Sequence, residues 1–288
     1  MNPQRPFLRV GRLVGWDLRL TCGLAIVCGL FLVGPLGSLV VGPAGLHLGS
    51  AGYSQPPSAA HPLGTDTTGR DILAMVVYGA VPTLKIGLVA GAIGTVLGVI
   101  FGLVSGYSRG RVDTVVRSAA DVALTIPALA VLVVLTAFVR TQTIELMAVI
   151  VGLFAWPFAT RAIRAQTLVL RERGFVTMAR LSGRSPVEIM FLEILPNLLP
   201  YVIASFVGAV SGAILVSVGL QLLGLGPITT PTMGLVLQFA FEYAAVSRGM
   251  WWWWVPPTAF LVLLFAGLFL ISVGLDAFAN PRLRRSGR

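Results

Sequence analysis

The sequence predicts an all-α membrane protein with six transmembrane helices, and three observations carry that expectation. Only 11 % of the 288 residues are charged and 56 % are hydrophobic, with a mean hydropathy of +0.88; a soluble domain carries about a quarter charged residues. Several charge-free runs reach the roughly 20 residues needed to cross a hydrocarbon core of about 30 Å. The arginines gather in alternate gaps between those runs, the pattern that orients membrane proteins. A net charge of +10 would also suit a nucleic-acid surface. That surface needs one basic stripe interleaved with aromatics, which these scattered clusters do not make, so the expected surroundings are membrane lipid and no nucleic acid.

The first span is Leu20–Val41. It follows Arg5, Arg9, Arg12 and Arg19 and is 22 residues long, beyond the roughly 7–15 of a signal-peptide core, so it reads as a retained helix. Cys22 and Cys28 lie inside it, about 240° apart around a helix axis, and cannot pair; they read as small packing residues. Residues 42–67 are rich in Gly, Pro and Ser and read as a loop. Thr68–Asp71 resembles a capping box, with Thr68 as cap, before a short surface helix at 72–78.

Further spans are expected at 83–106, 116–139, 142–162, 197–223 and 254–275. The stretch from Ile194 to Phe241 carries no charge, and Gly224, Gly226, Pro227 and Pro231 end the fifth span inside it. Arg109, Arg111 and Arg117 follow span two. Arg161, Arg164, Arg171, Arg173, Arg180 and Arg184 follow span four. Arg282, Arg284, Arg285 and Arg288 follow span six. With the four before span one, seventeen basic residues share one side, against Arg70, Lys85, Arg140 and Arg248 on the other. Cytoplasmic loops hold the excess, so both termini are expected in the cytoplasm and the chain in the plasma (inner) membrane. Trp251–Trp254 sit at the outer end of span six. They read as an interfacial belt or as a stacking platform for a sugar or peptide.

Gly87, Gly91, Gly94, Gly98 and Gly102 fall within an arc of about 80° on span two. Ser205, Gly208, Gly212 and Gly219 fall within about 60° on span five. Such faces let two helix backbones approach closely, either within the chain or against a second membrane subunit.

The loop between spans four and five, residues 171–196, reads as two short helices around a tight bend. Gly183 suits the left-handed position after a helix. Ser185 suits an N-cap, Pro186 the first helical position, and Glu188 the reciprocal arm of a capping box. Phe175, Val176, Met178 and Leu181 before the bend, and Val187, Met190 and Phe191 after it, are much apolar surface for an arginine-rich loop. Either the chain's own helix ends or a soluble partner covers it.

This loop resembles the cytoplasmic EAA loop of ABC importer permeases. Thr177, Met178 and Ala179 stand at its Glu-Ala-Ala positions, Gly183 at its glycine, and Leu195-Pro196 at its end, with Glu193 where the pattern has Ile. His61-Pro-Leu-Gly-Thr-Asp66, Gly69-Arg-Asp71, Ser105-Gly-Tyr107, Asp113, Asp121 with Pro127, Trp156-Pro157, Arg171-Glu-Arg173, Ile194-Leu-Pro-Asn197 and Leu223-Gly-Leu-Gly226 resemble dipeptide/oligopeptide permeases of the C-subunit type, in the family's order. Met233 stands before Gly234 where that family often has Trp.

The resemblance implies a type I ABC importer permease fold. Residues 1–60 would form a tail, the first span and an outer loop; residues 61–288 would form a permease core of five spans. It implies a second permease subunit as a heterodimer partner, two cytoplasmic ABC ATPase subunits and an extracytoplasmic substrate-binding protein. Phe175, Thr177, Met178, Ala179, Gly183, Ser185, Glu188 and Pro196 would form the loop that couples to the ATPases. The cargo would be peptides, with short oligosaccharides as the alternative.

Enzyme chemistry finds little support. His47 and His61 lie in the loop after span one, away from any span, and His61 before Pro62 reads as a turn residue. No nucleophile has an evident base, and no His/Cys cluster has metal-ligand spacing; no cofactor is expected. A P-loop needs Gly-Lys-[Ser/Thr], and the only lysine, Lys85, lies between Leu84 and Ile86. A stand-alone channel or carrier is the alternative of another class. Coupled carriers keep ionisable groups near the membrane midplane, whereas Asp121, Glu145 and Asp276 fall near helix ends.

Overall fold

A computed structural model describes residues 18–138 and 143–279, and among these it is helical, with one isolated bridge between Thr65 and Asp71. Arg5, Arg9, Arg12, Arg140, Arg282, Arg284, Arg285 and Arg288 lie outside the described residues, as does the side chain of Asp276. Four helices are long and apolar enough to cross a membrane, and two bent helix pairs bring the total to six if each pair is one span.

Helix α1 (Leu18–Gly37) lies along the last helix, α10 (Trp251–Ala279). Glycines permit that approach: a Cβ on Gly23 would stand 2.7 Å from the carbonyl oxygen of Gly267. The span expected to reach Val41 ends four residues early, at Gly37, after Pro35.

Helix α2 (Ile72–Ser108) is central and 37 residues long. Asp71 caps it, accepting the N–H of Ala74 at 3.2 Å. The expected Thr68 cap does not form, because the N–H and hydroxyl of Thr68 both donate to Asp66, each at 2.7 Å. Nor do a surface helix and a span remain separate; α2 runs unbroken through Pro82. Proline removes one donor from the ladder. Beside it the Thr83 hydroxyl donates to the Gly79 carbonyl at 2.7 Å and accepts the Met233 N–H at 2.9 Å. Side-chain hydroxyls and neighbouring elements of this kind let membrane helices tolerate proline.

The third and fourth spans are both bent where straight spans were expected. Helices α3 (Gly110–Thr125) and α4 (Ala128–Ala137) meet at 78°. Ile126 is extended (φ −78, ψ 126), because the residue before a proline, here Pro127, is disfavoured in the α region. Helices α5 (Ile144–Phe154) and α6 (Trp156–Leu170) meet at 43°, at Ala155, two residues before Pro157. Helix α6 runs eight residues past the expected end at 162, so Arg164 is helical as well as Arg161.

Helix α7 (Gly174–Leu181) precedes α8 (Pro186–Leu222). The second short helix expected in the loop is therefore the beginning of the fifth span, joined to it through a π-helical stretch at Ile189–Ile194. In that wider turn the Leu195 N–H bonds the Met190 carbonyl, just before Pro196 and Pro200 each withhold a donor. Helix α9 (Met233–Glu242) lies in the stretch between spans five and six and was not expected.

Three apolar clusters hold these elements. One joins α2, α8, α9 and α10 around Ile72, Ile214, Val236 and Leu264. A second joins α2, α4, α5 and α8 around Ile86, Leu132, Met147 and Leu220. The third, at the end of α2 towards Ser108, joins α6, α7 and the start of α8 around Leu103, Ile163, Val176 and Ile194.

Candidate functional site

The bend between α7 and α8 is built from backbone hydrogen bonds. The Arg184 N–H bonds the Ala179 carbonyl at 3.2 Å and the Gly183 N–H bonds the Arg180 carbonyl at 3.0 Å, which together make a Schellman motif. Gly183 has φ +79, the left-handed region that a side chain resists. Directly after it, Ser185 and Glu188 form a reciprocal capping box: the Ser185 N–H donates to Glu188 Oε2 at 2.7 Å and the Glu188 N–H to Ser185 Oγ at 3.3 Å. Pro186 occupies the first helical position. Arg184 pairs with Glu193, so one of the residues that depart from the EAA pattern closes an ion pair across the bend.

The apolar residues of this loop divide into two faces. Val176, Ala179, Ile189 and Met190 turn inward onto Leu103 and Ile163. Phe175, Met178, Leu181, Val187 and Phe191 stay exposed, Leu181 at 79 % and Met178 at 64 %. Thr177, Gly183, Ser185, Glu188 and Pro196 are exposed with them. A Cβ on Gly183 would meet nothing within 4 Å. The bend is thus a rigid apolar knob with nothing of the described chain over it.

Polar groups fasten the root of the knob. Arg171, only 7 % exposed, donates through Nη1 to the Gly106 carbonyl at 2.6 Å and through Nε to Glu172 at 3.1 Å. Glu172 also pairs with Arg109. Arg180 lies over the Tyr107 ring, 5.3 Å from its centroid. Asp113 of α3 accepts Arg164 Nε and Nη2 at 2.6 and 2.7 Å and the Ser105 hydroxyl at 2.6 Å. A bidentate guanidinium–carboxylate pair is both strong and directional. Ser105, Tyr107 and Asp113 were legible only as parts of a resemblance, and Arg171 through that and as one of the clustered arginines; here they join the ends of α2, α3 and α6 to the start of α7. Asp121 lies 3.8 Å from Arg161, both largely exposed.

The two glycine faces have different neighbours. On α2, a Cβ at Gly87 or Gly91 would strike Ile214 or Val210 of α8 at 2.4–2.5 Å. At Gly94, Gly98 and Gly102 it would strike Ala155, Ala159 and Ile163 at 2.4–2.8 Å. This stripe therefore packs within the chain. On α8, Gly208 and Gly212 have nothing within 4 Å. With Ser205 they line an open apolar hollow of about 430 Å³, bounded by Leu124, Val151 and Phe158.

The opposite end of the bundle is closed by the loop before α2. Asp66, 1 % exposed, accepts from the backbone and hydroxyl of Thr68 and from the backbone and Nε of Arg70. Arg70 in turn lies over the Phe239 ring at 4.4 Å. His61 Nδ1 is 2.7 Å from Asp71 Oδ2. Trp252 donates to the Thr65 carbonyl at 3.2 Å, Trp253 is buried, and Trp251 is half exposed. Part of the tryptophan run is thus internal packing, which the belt reading had not included. Deeper in, the buried Gln221 accepts from the Thr232 hydroxyl. Lys85 of α2 bonds Glu145 of α5 at 2.5 Å beside a cavity of about 410 Å³. Neither contact was expected, because their partners lie 11 and 60 residues apart.

Known proteins resemble this chain in sequence and in fold. Residues 98–285 match the family described as "Binding-protein-dependent transport system inner membrane component". The chain is 32 % identical over 231 residues to the oligopeptide transport system permease protein OppC of Lactococcus lactis subsp. cremoris (strain SK11), covering 80 % of this chain and 78 % of that one. It is 28 % identical over 265 residues to the dipeptide transport system permease protein DppC of Bacillus subtilis (strain 168), covering 91 % and 82 %. Among solved structures, a chain of the MetNI methionine ABC transporter in an inward-facing conformation superposes with a TM-score of 0.56 at 20 % identity, covering 71 % of this chain and 94 % of that one. That likeness bears on the fold, which is that of an ABC importer permease. The matched family, the relatives and the fold agree: the chain is a multi-pass membrane protein and belongs to the family of binding-protein-dependent transport system inner membrane components.

Proposed function

We propose that this chain forms half of the translocation path of an ATP-driven peptide importer, with residues 61–288 as its permease core. The observation that carries the reading is the knob at Gly183: a capped, fastened bend that presents Phe175, Met178, Leu181, Val187 and Phe191 to solvent. A surface of that kind suits docking into a groove, and two cytoplasmic ATPases supply it in this reading. ATP hydrolysis belongs to them, since the chain has no Gly-Lys-[Ser/Thr] sequence. The arginine distribution supports placing the knob and both termini in the cytoplasm. The loop at 42–71 then faces outward, towards a substrate-binding protein. The peptide cargo is supported by the relatives, which carry oligopeptide and dipeptide permease names. A second, distinct permease subunit completes the path, and the open hollow beside Gly208 and Gly212 suits its contact.

The test is reconstitution of the chain in liposomes with the partner permease, the two ATPases and the binding protein. Uptake of a radiolabelled peptide should require ATP and the binding protein together. Uptake by the permeases alone, running down a peptide gradient, would refute the reading in favour of a channel or carrier.

A further inference from the structure

The only lysine of the chain is in an unusual place. Lys85 stands on α2, 23 residues before Ser108, which is about 35 Å along a helix. A hydrocarbon core is about 30 Å thick, so Lys85 lies at the border opposite the arginine-rich knob. Glu145, in the first turn of α5, stands 19 residues before Arg164, about 29 Å along the bent α5–α6 pair. Two independent elements thus bring opposite charges to one level, the outer mouth.

Stability does not account for the pair. Lys85 and Glu145 side chains are 50 % and 64 % exposed, and exposed pairs contribute little. The contact between α2 and α5 is made elsewhere, by Ile86, Ala90, Met147 and Ala148 in a buried cluster. At the border of a span a lysine reaches the headgroup region at little cost, so the pair is available to a ligand that enters there.

The surroundings fit a ligand. Lys85 and Glu145 open onto the cavity of about 410 Å³, whose other walls include Pro82, Thr143, Thr229 and Thr230. That volume is in the range of small-ligand sites and accommodates a short peptide segment. The wall is mixed, with three hydroxyls and the charge pair among apolar groups. The bond to Glu145 uses one of the three donors of an ammonium, so a carboxylate can join Lys85 without a vacant charge being left behind.

Resting on the peptide reading above, we propose that Lys85 and Glu145 receive the charged ends of the peptide at the outer mouth. Lys85 takes the C-terminal carboxylate and Glu145 the N-terminal ammonium. The two side chains satisfy each other when the mouth is empty, and each adds a peptide terminus to that bond when a peptide arrives. The hydroxyls of Thr143, Thr229 and Thr230 take backbone groups of whatever sequence passes, which gives recognition of termini without preference for side chains.

The experiment uses the complete reconstituted transporter, with uptake expressed per assembled complex. Lys85→Met and Glu145→Gln should each lower uptake of an unblocked peptide about tenfold, the scale of one lost charge-assisted contact. The exchanged pair, Lys85→Glu with Glu145→Lys, restores the ion pair but reverses its polarity. It should remain at least tenfold down if the pair reads the peptide, and a return to the wild-type rate would overturn the proposal in favour of a helix tie. Unchanged uptake in the single variants would overturn it as well. A C-amidated peptide that the binding protein delivers gives a readout independent of the exchange. Lys85→Met should reduce its uptake far less than that of the free acid, and an equal reduction of both would count against recognition. Failure of the wild-type transporter to move any peptide would instead remove the peptide reading itself, a result distinct from all of these.

Discussion

Gly183 allows backbone strain to be separated from docking. Any residue with a Cβ at φ +79 costs about 1–2 kcal/mol. The position is otherwise open, with nothing within 4 Å of a built Cβ, so within the chain Gly183→Ala and Gly183→Arg pay nearly the same. About 1 kcal/mol is roughly a fivefold shift in a local equilibrium, and the Schellman bonds, the capping box and the Arg184–Glu193 pair oppose that shift. Gly183→Ala should therefore keep most of its uptake. Gly183→Arg adds a long charged side chain to the face that carries Leu181 and Val187, and a groove formed around a glycine has no room for it. Both variants should insert into the membrane in wild-type amounts. Gly183→Arg alone should lose ATPase subunits on co-purification and lose uptake, or hydrolyse ATP without transport. Equal behaviour of the two variants, with transport per assembled complex unchanged in both, would falsify the docking role and leave Gly183 as a helix terminator only.

Three other outcomes follow from the same geometry. Gly94→Leu drives a side chain into Ala155, where even a Cβ would lie 2.5 Å from the alanine methyl and 3.1 Å from backbone. The overpacking costs about 1–3 kcal/mol or more, and the yield of assembled complex should fall; a normal yield and rate would show that α2 and the α5–α6 junction can part. Asp113→Ala removes the acceptor of Arg164 and Ser105, a loss of about 2–3 kcal/mol for charged hydrogen bonds, and should uncouple ATP hydrolysis from uptake before it prevents insertion, as read by the ratio of the two rates. In a background without Cys22 and Cys28, single cysteines at Ser108 and Ser182 should resist an impermeant thiol reagent in intact cells and one at Ser58 should react; labelling at Ser182 from outside would invert the topology.

The parts of the fold legible in sequence were those that depend on local composition. Charge-free length gave the spans. The run Gly183-Arg-Ser-Pro-Val-Glu188 gave the bend, because each residue there solves a backbone problem within six positions. The misread parts depend on what lies far away. A gap was expected between a helix at 72–78 and a span at 83–106, yet α2 continues through Pro82, where Thr83 bonds Met233, 150 residues on. Pro127 and Pro157 were visible, but their bends of 78° and 43° sit inside apolar runs whose composition is continuous. Helix α9 lies in a charge-free stretch that reads as the aftermath of a span, and its cap, Thr232, which accepts the Leu235 N–H at 3.1 Å, is itself held by a buried bond to Gln221 of the preceding span. The Lys85–Glu145 pair joins positions 60 residues apart, and nothing local to either residue points to the other.

The placement of the α2 glycines also bears on how movement at the knob could reach the membrane. From Gly87 to Gly106 the helix meets α8 first and then the α5–α6 pair, with each glycine seated on a side chain or backbone of its neighbour. Contacts this close leave no compressible layer between the helices. At the knob end, Arg171 ties the start of α7 to the carbonyl of Gly106, and Asp113 ties α3 to Arg164 of α6. A force applied at Phe175 or Leu181 therefore acts on α2, α3, α6 and α8 as a block. A wide gap lies on the face of α8 that carries Ser205, Gly208 and Gly212, across from Leu124, Val151 and Phe158, and a Cβ built on either glycine meets nothing within 4 Å. Rigid-body motion of packed helices has room at this open face. The path should therefore open and close across the face of α8 that carries Ser205, Gly208 and Gly212. A disulfide tying that face to the second permease should arrest uptake while ATPase binding at Gly183 persists; uptake that continues through such a tie would place the moving boundary elsewhere.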